Sequence, residues 1–204
     1  AETGATSSIF GFDNSMIAYL KATGRKDIAE QALSVSDHLK ADHEVWADPH
    51  EYFDNFIEID LSSIEPYING PFTPDIATPI SLMKEEVKKN NWPERISVGL
   101  IGSCTNSSFE DISRAAYVVK NALGNKIKAK AEFKITPGSE QIRLIAEKSG
   151  LLNIFRKAGG EIFANACGPC IGQWDRKDSE KKEVNSIIHS FNRNFSKRSD
   201  GNPN

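Results

Sequence analysis

Apolar positions follow one rhythm in the first part of the chain and another in the second. Met16, Ile17 and Leu20 recur at helical spacing behind polar starters, and Gly24 stands where a helix would close, so the pattern predicts a short helix over 13–24. A second helix is expected from Lys26 to about Leu39, whereas Asp42 to Pro49 has no period and reads as a loop. From Phe56 to Leu61 the pattern alternates, with Ile57, Ile59 and Leu61 on one side and Glu58 and Asp60 on the other, as in a half-buried strand. Further on, the pattern changes to strands alternating with helices. Ile96 to Ile101 reads as a strand buried on both faces. Ser108 to Leu123 reads as a helix with Ser108 and Asp111 in capping-box positions, an apolar stripe of Ile112, Ala115, Ala116 and Val119, and Gly124 at its end. A strand at 133–136, helices at 139–148 and 151–157, a strand at 161–164 and a last strand at 184–190 continue the series.

Strand-helix-strand repetition predicts an α/β fold, a parallel sheet with flanking helices in a three-layer domain. Pro66, Pro71, Pro74 and Pro79 crowd one stretch with the turn signal Asn69-Gly70-Pro71, so a domain junction is expected at 66–79. The expected division is a partial small α/β domain over 1–84 and the sheet domain over 85–204, cut short at its C-terminal end. Composition adds exclusions. The 204 residues are 39% hydrophobic and 26% charged, which is ordinary for a globular chain and not for low-complexity sequence. No run approaches the roughly 18 apolar residues of a membrane span, so no membrane partner is expected. The 25 Lys and Arg against 28 Asp and Glu give a net charge of -3, which disfavours nucleic acid as a partner. The first residues carry no signal-peptide pattern, the last stop in turn-forming residues, and both ends are expected to be cuts through a longer protein.

Three cysteines cannot all pair, and so few in this length suit a reducing compartment. Cys104 follows the first predicted strand of the sheet domain, and Cys167 and Cys170 follow another, in Cys167-Gly168-Pro169-Cys170. Ligands of open α/β sheets gather beyond the carboxyl ends of strands, so the fold could bring the thiols together. Three soft thiolates suit iron–sulfur or zinc. A closed zinc site would ask for a histidine, and His189 is the one in the second half, but it sits inside a predicted strand. A four-iron cluster on three cysteines would leave one iron open to a substrate hydroxyl. A redox Cys167-Cys170 pair with a buried, inert Cys104 is the third possibility. Arg193 and Arg198, with Lys197 beside them, close the last strand and could grip carboxylates from a loop.

The segments Ile101-Gly102-Ser103-Cys104-Thr105-Asn106-Ser107-Ser108, Ile135-Thr136-Pro137-Gly138-Ser139-Glu140-Gln141-Ile142-Arg143, Ala164-Asn165-Ala166-Cys167-Gly168-Pro169-Cys170-Ile171-Gly172-Gln173-Trp174-Asp175-Arg176 and Asn192-Arg193-Asn194-Phe195 resemble the aconitase family, in its mitochondrial branch. The resemblance extends over nearly the whole chain, including Thr3 to Phe10 and Ile68 to Thr73, although the stretch from about Lys40 to Tyr52 is longer than the family pattern. It implies a fragment of an iron–sulfur hydro-lyase that interconverts citrate and isocitrate through cis-aconitate in the tricarboxylic acid cycle. Isopropylmalate dehydratase, which shares the Ser-Cys-Thr-Asn element, and a non-catalytic zinc or thiol module are the alternatives. On this resemblance Cys104, Cys167 and Cys170 ligate a 4Fe-4S cluster, Arg193 and Arg198 bind substrate carboxylates, Asn192 supports the cluster, and Glu2 is catalytic. The family's base serine and its other substrate contacts match nothing in this sequence. The partners so implied are a small tricarboxylate and the remaining domains of a monomeric parent enzyme. The setting is the mitochondrial matrix in a eukaryote and the cytoplasm in a bacterium, and the fragment by itself is expected to be inactive.

Overall fold

The computed structural model describes residues 5–176, 185–191 and 194–202. It divides into two compact units, one running to Ile64 and one from Glu65 onward. The first unit is helical. Helix α1 (Asn14–Ala22) starts at Asp13, whose carboxylate accepts from the Met16 N–H at 3.0 Å, and α2 (Lys26–Ser34) packs beside it through buried Ala29. The predicted loop at 42–49 instead holds two short helices, α3 (His43–Ala47) and α4 (Pro49–Tyr52), the second with Pro49 in its first turn. One- and two-turn helices are too short to leave a period in the sequence. The predicted strand at 56–61 does not form. Among the described residues this unit has no strand to pair with it, so Ile57, Ile59 and Leu61 remain exposed and the segment ends in a 3-10 turn capped by the Asp60 carboxylate.

The second unit opens with an antiparallel hairpin, β1 (Tyr67–Asn69) and β2 (Ala77–Pro79), so the proline-rich stretch belongs to this unit. Helix α5 (Met83–Lys89) follows, with Glu85 and Glu86 in its first turn and Lys88 and Lys89 in its last, as its dipole favours. Neither the hairpin nor α5 was expected from the sequence, because the strands are three residues each and rich in breakers.

Next come β3 (Val98–Ile101), α6 (Phe109–Gly124), β4 (Glu132–Ile135), α7 (Glu140–Lys148), α8 (Leu151–Lys157), β5 (Gly160–Ile162) and β6 (Ile187–His189). The four strands form one parallel sheet in the order β5-β4-β3-β6. The capping box at Ser108 and Asp111 is complete. Ile112 and Ala116 of α6, Ile142 and Ala146 of α7, and Leu152 and Phe155 of α8 bury themselves with Ile135 in one cluster on one face of the sheet. That burial of large side chains is the main stabilising term of the unit.

On the opposite face Val98 and Leu100 are buried, and their register partners are Glu132 and Lys134 on β4. Lys134 bridges Glu132 and Glu161 at 3.0 and 2.7 Å. Burial opposes both charges, but the hydrogen bonds prevail. They hold Lys134 above its usual pKa and Glu132 below the usual carboxylate value. Arg176 reaches the same Glu132, Asn185 and the nearly buried Asp200, and its guanidinium stacks on Trp174. These contacts lace the turn after Cys170 to the segment 195–202. At Gly172 (φ 75°) an added Cβ would stand 2.5 Å from the Lys197 carbonyl oxygen, so only glycine lets the two backbones approach.

Candidate functional site

The parallel strands end on a common edge, and the loop after each of the four contributes to one cleft there. Gly102, Ser103 and Cys104 come from the loop after β3, Thr136, Pro137 and Gly138 from that after β4, Asn165, Ala166, Cys167, Pro169 and Cys170 from that after β5, and Phe191 follows β6. Beta-strand polarity explains this meeting: in a parallel sheet all carboxyl ends point the same way, so residues distant in sequence share one rim.

The Cys104 loop is held by small polar side chains. Ser107 is 1% exposed, and its hydroxyl accepts from the Ser103 N–H at 3.0 Å while donating to the Thr136 carbonyl at 2.9 Å. Gly102 donates its N–H to the Ser190 hydroxyl at 2.9 Å, and Ser190 donates in turn to the Asn106 side-chain carbonyl at 3.0 Å. The Asn106 amide also donates to the Ser190 carbonyl. The loops after β3, β4 and β6 are thereby tied together. Cys104 itself stays exposed, with its sulfur 3.7 Å from the Thr105 hydroxyl.

Cys167 and Cys170 flank a 3-10 turn (Pro169–Ile171) that ends in left-handed Gly172. All three cysteines are free thiols; Cys167 is exposed and Cys170 half-buried. Arg198 approaches Cys170 directly, with its Nε 3.1 Å from the Cys170 carbonyl oxygen and its Nη2 3.1 Å from Sγ. Its guanidinium lies between the rings of Phe191 and Phe195, at 4.9 and 5.0 Å from their centroids. Arg198 is thus joined to a predicted metal ligand, a contact the sequence could not show. Glu2, Asn192 and Arg193 lie outside the described residues.

Among the described residues no three His, Cys, Asp or Glu side chains close around a point that could hold one metal ion. His189 is absent from the cysteine cleft. Burial, and then the positive charge of Arg198, push its pKa down to about 4, so it is neutral at pH 7, and its Nδ1 accepts from the Phe191 N–H at 3.2 Å. The soft thiolate donors of Cys104, Cys167 and Cys170 on one rim suit either an iron–sulfur group or zinc. In the cleft wall, Thr136 is 4% exposed and its hydroxyl has no hydrogen-bond partner among the described residues. A larger, mostly apolar groove of about 480 Å³ between β1, α5 and β6 contains no cysteine.

The sequence matches the family model described as aconitase family (aconitate hydratase) over residues 1–204. The chain belongs to the aconitase family. Membership in the aconitase family implies an iron–sulfur cofactor in general terms. Among similar proteins, "Aconitate hydratase, mitochondrial" of Gracilaria gracilis is 58% identical over 203 residues, and its namesake in Saccharomyces cerevisiae is 57% identical over 204. "Probable aconitate hydratase, mitochondrial" of Dictyostelium discoideum is 55% identical over 204 residues. Each alignment takes in 100% of this chain, but the chain spans only 25%, 25% and 26% of these three relatives.

Sequence reasoning named the three cysteines but gave no role to Ser107, Asn106, Ser190 or Thr136. The only signal for them was a run of small polar residues placed directly after strands.

Proposed function

We propose that this chain is part of an aconitate hydratase, in which Cys104, Cys167 and Cys170 hold a 4Fe-4S cluster. The observation that carries the reading is that all three free thiols line one cleft at the carboxyl edge of the sheet. When bound, such a cluster supplies an open iron as Lewis acid for the hydroxyl of a citrate- or isocitrate-like tricarboxylate. The chain's own residues provide position and charge. The hydrogen bonds of Ser107 fix the Cys104 loop, and the short turn around Pro169 keeps Cys167 and Cys170 on the same rim. Arg198 steadies Cys170, and a guanidinium has five N–H donors, enough to serve a sulfur, a carbonyl and a carboxylate together. Arg193 is assigned to a second carboxylate, Asn192 to support of the cluster, and Glu2 to the reacting hydroxyl or water. The carbon-side base comes from the rest of the parent, which is why the fragment alone is expected to be inactive. The names of the relatives favour aconitate hydratase over isopropylmalate dehydratase. In a eukaryote the parent works as a monomer in the mitochondrial matrix, and in a bacterium in the cytoplasm.

The test is anaerobic loading with iron, sulfide and zinc all on offer, followed by metal and acid-labile sulfide analysis. Iron with sulfide, lost in Cys104→Ser, Cys167→Ser and Cys170→Ser, is the expected result. Stoichiometric zinc without sulfide would replace the reading with that of a structural zinc module.

A further inference from the structure

Among the described residues, the buried hydroxyls beside Cys104 are satisfied and that of Thr136 is not. Ser103 accepts from the Thr105 N–H at 3.2 Å, and Ser107 both accepts and donates. Thr136 uses its backbone fully, its N–H donating to Ile101 and its carbonyl accepting from Ser107, yet its Oγ1 has no partner among the described residues. A hydroxyl withdrawn from water without a partner is costly, so native proteins leave few of them. Thr136 closes β4 in the wall that Cys104, Cys167 and Cys170 also line. Its β-branched side chain is stiff at χ1, so its methyl and hydroxyl are placed with little freedom.

We infer that the Thr136 hydroxyl donates a hydrogen bond to a sulfur of the group held by these cysteines, a thiolate or an inorganic sulfide. This rests on the proposal that they hold an iron–sulfur cluster. Sulfur in such clusters is an acceptor, and a donor at 4% exposure faces little competition from water. A hydrogen bond to sulfur favours the reduced, more negative cluster and so raises its reduction potential. Thr136 is therefore a positioning and tuning residue, not one that touches the substrate.

The experiment uses the full-length parent enzyme, loaded anaerobically, as wild type, T136V, T136A and T136S. Iron and acid-labile sulfide are measured first, and the one-electron reduction of the cluster is then titrated and followed by electron paramagnetic resonance. With loading equal to wild type, T136V and T136A should each lower the ratio of reduced to oxidised cluster at a fixed potential by several-fold to about tenfold, tenfold being 59 mV. T136S, which keeps the hydroxyl, should stay within about twofold of wild type. Having both T136V and T136A guards against one of them failing to load. An unchanged potential in a fully loaded hydroxyl-free variant overturns the inference. So does a shift in T136S as large as that in T136A, since shape and not the donor would then be at work. Wild type that binds no acid-labile sulfide brings down the cluster reading itself, and this inference with it.

Discussion

Replacing Gly102 with alanine tests whether the Cys104 loop is built as described. Gly102 has φ 106°, in the left-handed half of backbone space, and a Cβ there would stand 2.0 Å from the Thr136 carbonyl oxygen and 2.3 Å from the Ser107 hydroxyl. The backbone conformation alone costs a side-chain-bearing residue about 2 kcal/mol. The methyl group would also displace Ser107 from the Ser103 N–H and the Thr136 carbonyl, two hydrogen bonds worth about 1 kcal/mol each. Together these make a loss of about 4 kcal/mol, a large part of the 5–15 kcal/mol typical of a folded domain. Gly124 is the internal control. It closes α6 with nothing within 4 Å of an added methyl, so Gly124→Ala should be neutral or stabilising by up to about 1 kcal/mol. Urea unfolding of the chain, followed by tryptophan fluorescence, compares both variants with wild type. Iron uptake after anaerobic loading should also fall in Gly102→Ala and not in Gly124→Ala. A Gly102→Ala variant within about 1 kcal/mol of wild type would show that the loop does not depend on this close approach.

His189 gives a pH dependence. Its folded pKa of about 4 lies below the unfolded value near 6.5, so the unfolded chain binds the proton first and stability falls as pH drops from 6.5 through 4, by roughly 3 kcal/mol in all. Denaturation midpoints across that range should show the slope, and His189→Gln should flatten it. Arg176→Met should cost about 3 kcal/mol in urea unfolding, because it leaves the nearly buried Asp200 carboxylate without its cation, while Asp200→Asn should cost less. In the full-length parent, Arg198→Lys should lower kcat/KM on citrate at least tenfold, about 1.4 kcal/mol, since an ammonium cannot bond the Cys170 carbonyl and sulfur as a planar fork does. An unchanged kcat/KM would remove Arg198 from the site.

Local sequence settled what depends on near neighbours. The stripe and capping box of α6 depend on residues within a turn of each other, and the helix forms over Phe109–Gly124 as the pattern predicts. Strand β3 was legible as an apolar run because its alternate residues Val98 and Leu100 are fully buried in the middle of the sheet. Tertiary structure decided whatever needs a distant partner. Alternation at 56–61 has the right period for a strand, but a strand exists only when another supplies its hydrogen bonds, and none among the described residues of that unit does. For the cysteines, sequence supplied the donors and their positions after strands, while only the strand order β5-β4-β3-β6 with all carboxyl ends on one edge put Cys104 on the same rim as Cys167 and Cys170. The same holds for Arg198 against Cys170 and for the Thr136 hydroxyl, which has no partner among the described residues. A residue type declares what bonds it can make, but whether a bond is made or left open depends on which loops the sheet brings together.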